Sequence, residues 1–157
     1  MSGIHHVTAI AGDPLKNFDF YTRDLGLRFV KKTVNFDDPS TYHFYYGDKI
    51  GSPGSILTFF PWAGAPAGRR GVGETHQTAF RVPLRSLGYW TQRFLEKGIA
   101  HEGLEKRFGE PVLPFTDPDG MALESTWSPW PPLSSGWPAR HKKNVRASRL
   151  RPVAARE

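Results

Sequence analysis

One pattern, an extended run followed by a short helix and three more extended runs, occurs twice along this chain of 157 residues. Such repetition restricts the fold more than any single motif, because each unit has an apolar face to bury and its copy is at hand. The first unit opens with Gly3 to Ala11, rich in His, Val, Thr and Ile. Asp13 then offers an N-cap oxygen ahead of Pro14, which needs no N–H partner at a helix start. Phe18, Tyr21 and Leu25 form one apolar stripe at i, i+3 and i+7, and Gly26 provides a left-handed cap. Leu27 to Phe36, Tyr42 to Tyr46 and Ile56 to Phe60 read as strands, separated by turns rich in Asp, Pro, Ser and Gly. The second unit repeats this order. Thr75 to Val82 is a strand, Leu87, Trp90 and Phe94 reproduce the stripe, and Gly98 closes the helix. Shorter extended pieces then lead to the Asp117-Pro118-Asp119-Gly120 turn and the strand Met121 to Thr126. The expectation is an α+β fold of two βαβββ modules, 1–62 and 74–126, joined by a Gly/Pro/Ala linker over 63–73. From 127 to 157 neither period survives, and a Pro/Trp-rich then basic tail is expected to be irregular and largely disordered.

The net charge of +6 belongs to that tail. Seven of the 21 basic residues and one of the 15 acids lie in 139–157, which leaves 14 of each before it. Nucleic-acid binding therefore has only a terminal charge run behind it. No stretch reaches the roughly 18 uninterrupted apolar residues that a membrane helix needs. The start, MSGIHHVTAI, has no basic or apolar leader region. Cysteine is absent, which fits a reducing cytoplasm and leaves His, Asp, Glu and Gln as the side chains that could hold a metal.

Particular stretches carry a family resemblance. They are Gly3-Ile4-His5-His6-Val7-Thr8-Ala9-Ile10, Phe29 to Asp38, Thr41 to Asp48 and Gly51 to Trp62. With the doubled module, these resemble the vicinal oxygen chelate superfamily, and within it the ring-cleaving dioxygenases that open hydroquinones. The resemblance covers positions 3 to about 124. It implies a cup of paired modules around a divalent metal, with ligands from first and last strands. It also implies an extradiol-type dioxygenase acting on a hydroquinone or catechol with O2, through Fe(II), or else Mn(II) or Zn(II). The dioxygenases in question carry four modules where this chain shows two, so a shortened or frame-shifted form is a further expectation. Single-pair relatives exchange modules between subunits, which implies a homodimer.

The resemblance places His6 at the first-strand ligand position, seven residues before Asp13. A neutral imidazole suits any of the three metals. His5 is expected on the opposite strand face, in an acid–base role or simply packed. Thr8 shares the His6 face and could hydrogen-bond a ligand. Glu124 occupies the last-strand carboxylate position, which Thr58 fills in the first module. A carboxylate in an apolar strand needs a partner, and metal ligation would provide one. In the second first-strand, chemistry favours His76 and register favours Gln77. His6, His76 and Glu124 together would make a two-His, one-carboxylate set. His43, in an aromatic strand, reads as structural. The competing readings are a metal-free small-molecule binding or resistance module with an aromatic cleft, and an inactive relative lacking most of its ligands.

Overall fold

The computed structural model describes residues 4–69, 71–127 and 150–154. Asp13 starts the first helix as its sequence suggests: one carboxylate oxygen accepts the backbone N–H of Leu15 at 2.7 Å and of Lys16 at 3.2 Å. Helix α1, Pro14–Asp19, then widens into a π-helical turn, Phe20–Asp24, closed by the Leu25 N–H on the Phe20 carbonyl at 2.9 Å. Gly26 at φ +70° reverses the chain, a conformation that disfavours any Cβ. Around this helical segment lies a four-stranded sheet in the order β1-β4-β3-β2. Its strands are β1 His6–Ala11, β2 Arg28–Val34, β3 Tyr42–Gly47 and β4 Ile56–Pro61. The edge strand β1 runs parallel to β4, and the other pairs are antiparallel.

The second module follows the same plan. Strand β5, Thr75–Arg81, leads through a 3-10 turn at Leu84–Ser86 to helix α2, Leu87–Lys97. Leu87, Trp90 and Phe94 are buried, as their spacing predicts, and Gly98 at φ +63° caps the helix. Strands β6 Glu105–Arg107, β7 Glu110–Thr116 and β8 Ala122–Thr126 complete it. The sheet order is β6-β7-β8-β5-β9, where β9 is Leu150–Ala154. Within the tail expected to be irregular, 150–154 lie antiparallel along the outer edge of β5. An exposed strand edge offers a row of backbone donors and acceptors, and a segment can pair with it without showing a strand pattern of its own. The rest of that reading, 128–149 and 155–157, lies outside the described residues.

One core joins the modules. Tyr21, Leu25, Tyr46, Leu57 and Phe59 of the first pack in the same buried cluster as Phe94, Leu113, Phe115 and Leu123 of the second. Polar links run beside it. The Tyr21 hydroxyl donates to Asp117 at 2.9 Å, the Gly12 N–H to Asp119 at 3.0 Å, and the Arg93 guanidinium to the Asp24 carbonyl at 2.7 Å. A Cβ on Gly12 would meet the Asp119 carboxylate at 2.8 Å, so a side chain there would push that carboxylate aside. Among the described residues no helix is long and apolar enough to cross a membrane.

Candidate functional site

Alternation along each strand sends one set of side chains into the core and the other to the face turned away from the helix. In the first sheet that outer face carries His6, Thr8 and Ile10 from β1, with Thr58 and Phe60 paired beside Thr8 and Ile10 on β4. Tyr45 lies next to Thr58 on β3, and Lys31 next to Tyr45 on β2. His6 and Thr8 are exposed, whereas Thr58 is fully buried and donates its hydroxyl proton to Thr8 at 2.8 Å.

His5 departs from its expected place. Strand β1 begins only at His6, so alternation does not bind His5 to the opposite face. Its imidazole stands edge-on to that of His6, with the two Nδ1 atoms 3.0 Å apart. Two such nitrogens can share one proton, one as donor and one as acceptor. The His6 nitrogen outside this pair is Nε2.

His43 is the second imidazole of this face. Its ring lies 4.0 Å from Phe60 and 4.2 Å from Tyr45, and its Nδ1 is 2.9 Å from the Tyr45 hydroxyl. Burial lowers its pKa, and His6 and Lys31 lower it further, which favours the neutral ring. Its Nε2 is buried and has no hydrogen-bond partner. Past the end of the Thr8 row, Ile10, Phe60, Trp62, Asn35, Asp38 and Thr41 line a cleft of about 150 Å3. An apolar cavity of about that size holds one benzene ring.

The second sheet is arranged differently. Gln77 and Glu124 lie on its outer face, both buried. Between them stands Arg107, which reaches across β7 and donates from a single Nη1 to Gln77 Oε1 and to Glu124 Oε2, each at 2.7 Å. The Gln77 Nε2 donates to the Leu123 carbonyl at 3.0 Å, which fixes the amide orientation. His76 is exposed, at an irregularity between Thr75 and Gln77. Gln77, not His76, therefore shares the face of Glu124.

A metal held jointly by His6, His76 and Glu124 does not fit this arrangement. The Glu124 and Gln77 oxygens serve a guanidinium, His76 stands apart from them, and no three His, Asp or Glu gather into a metal-holding group among the described residues. Sequence reasoning did not find Arg107. It lies in a three-residue strand with no apolar alternation, and its one signal was the need of a buried Glu124 for a cation.

The profile of the Glyoxalase/Bleomycin resistance protein/Dioxygenase superfamily matches residues 3–125. The chain belongs to this superfamily. It is 51% identical over 122 residues to MhqO of Bacillus subtilis, which bears the name of a ring-cleaving dioxygenase; the match covers 78% of this chain and 39% of MhqO. It is 32% identical over 127 residues to a chlorohydroquinone/hydroquinone 1,2-dioxygenase of Sphingobium indicum, covering 79% and 40%. A crystal structure titled as a dioxygenase from Bacillus subtilis superposes with a TM-score of 0.77 at 48% identity, covering 80% of this chain and 40% of that one. The chain thus spans about two fifths of the length of the curated relatives it matches.

Proposed function

We propose that this superfamily member acts in ring-cleaving oxygenation of a dihydroxybenzene in the cytoplasm, and that the outer face of its first sheet binds the aromatic diol. The observation that carries this reading is the disposition of that face: an exposed His6 stands at the head of the Thr8–Thr58 row, and the row ends beside a cleft of one-ring size. The names of the relatives, a ring-cleaving dioxygenase and a hydroquinone 1,2-dioxygenase, support it. The ring rests against Phe60 and Ile10, while a hydroxyl of the diol hydrogen-bonds to Thr8. The shared proton of the His5–His6 pair leaves one imidazole lone pair free, and on His6 Nε2 that lone pair would hold the metal. Dioxygenases of the superfamily use a metal ion, Fe(II) being our expectation here. Because the three-donor set does not assemble, His6 is the single ligand assigned to this chain. A homodimer, with a second copy facing His6, is the assembly we propose.

The test is oxygen uptake by the chain loaded anaerobically with Fe(II), using hydroquinone and catechol, with His6→Ala and Thr8→Val alongside. The expected result is uptake that His6→Ala abolishes and that Thr8→Val slows mainly through a higher KM, from a protein that sediments as a dimer. No uptake by the wild type would overturn the reading. A second reading, a metal-free binder of aromatic molecules, is favoured by the Arg107 contacts. Calorimetric binding of hydroquinone without metal, unaccompanied by oxygen uptake, would select it.

A further inference from the structure

Gln77 and Glu124 occupy the first and last strands of the second module, the strand positions that His6 and Thr58 hold in the first. Oxygen donors on adjacent strands, facing the same way and buried, form the kind of site at which a cation is expected. From this geometry we infer that the Arg107 guanidinium is itself that cation: an internal, covalently tethered charge in the place where a divalent metal would stand, so that the second sheet binds no metal.

Distance, burial and connectivity agree on this. Both oxygens are 2.7 Å from the same Nη1, inside the range of charge-assisted hydrogen bonds. The Glu124 side chain is 4% exposed and that of Arg107 29%, so the carboxylate lies inside and the guanidinium closes over it. The Gln77 amide cannot serve both roles. A metal would need Oε1, the oxygen given to Arg107, and rotation of the amide would break its bond to the Leu123 carbonyl. The other guanidinium terminus lies 3.6 Å from the Glu105 carboxylate, which draws the charge toward β6 as well. Arg107 thus ties β6 to β8 and β5 across β7, a positioning role that a hydrated, exchangeable metal would perform less permanently. An arginine is always charged at physiological pH, so the site is filled at every metal concentration. The inference concerns the second sheet and is independent of diol binding on the first.

Metal titration and a stability cycle on the full chain test it together. Fe(II), Mn(II) and Zn(II) are titrated by calorimetry and by metal content after dialysis, on wild type, Glu124→Gln and His6→Ala. Metal affinity within about twofold of wild type in Glu124→Gln is expected, because ligand loss ordinarily costs far more than the 10–100-fold of an outer-shell change. Separately, melting temperatures without metal are compared for Arg107→Met, Glu124→Gln and the double variant. The double variant should melt well above the sum of the two single losses, the signature of two groups in direct contact. A tenfold or greater loss of metal affinity in Glu124→Gln, or additive melting losses, would overturn the inference. Should Arg107→Met not fold, the Glu124→Gln titration decides alone.

Discussion

Tyr21 is fully buried in the first module, and its hydroxyl reaches Asp117 in the turn before β8 of the second. Replacing it with Phe removes one oxygen and keeps the ring that packs 4.7 Å from Phe59. Asp117 Oδ1 would retain the backbone N–H groups of Asp119 at 2.9 Å and Met121 at 2.8 Å, but Oδ2 would lose its Tyr21 donor. A hydrogen bond to a charged group contributes about 1.5–3 kcal/mol, and leaving the acceptor buried adds to the loss. For a chain of this size that corresponds to roughly 3–12 °C in Tm. The matched control is Tyr46→Phe, which removes a hydroxyl donating at 2.8 Å to the neutral Asn17 amide oxygen within one module. A neutral bond contributes only about 0.5–1.5 kcal/mol. Urea denaturation at neutral pH, with the slope m unchanged, should therefore rank Tyr21→Phe as the costlier change. If it were equal to Tyr46→Phe or milder, the Asp117 link would not hold the modules as described.

The same pair sets a pH dependence. Burial raises the Asp117 pKa, although the Met121 and Tyr21 hydrogen bonds lower it in part. A carboxyl with a raised folded-state pKa contributes stability below the ordinary carboxylate pKa, and that contribution is lost as pH rises through the raised value. Without the Tyr21 hydroxyl the raised value climbs further, so the gap between wild type and Tyr21→Phe should widen from pH 4 to pH 7. Equilibrium unfolding across that range measures it, and a gap constant with pH would refute the assignment. At Gly98, φ is +63° and a Cβ would meet nothing within 4 Å, so Gly98→Ala is strained only through its backbone. A loss of about 1–2 kcal/mol follows, read as a lower thermal midpoint with no change in ligand binding.

Much of the architecture was legible because the signals were local. Asp13-Pro14, Gly26 and Gly98 mark helix ends by their own chemistry, and the Leu87, Trp90, Phe94 stripe is the buried face of α2. The π turn after α1 was not legible, since Phe18, Tyr21 and Leu25 keep an apolar stripe whether or not the last turn widens. At the site, Gln77 shares a sheet face with Glu124 while the neighbouring His76 is exposed. His5 and Arg107 escaped for opposite reasons. Strand alternation does not govern His5, which precedes the strand. Arg107 answers a need arising from residues 17 and 30 positions away, which no local pattern records.

Between Phe29 and Lys31 the pairing of β2 with β3 slips by one residue. Counting by twos would place both side chains on one side. Instead Phe29 pairs with Tyr46 of the core, and Lys31 with Tyr45 of the outer face, where its ammonium sits 5.5 Å from the Tyr45 ring. Val30 therefore acts as a spacer, its methyl groups lying over Gly47 and Gly51. It shifts the reading frame of the strand, so that one short segment serves two surfaces in succession. At such a place natural variation should resist the gain or loss of a single residue.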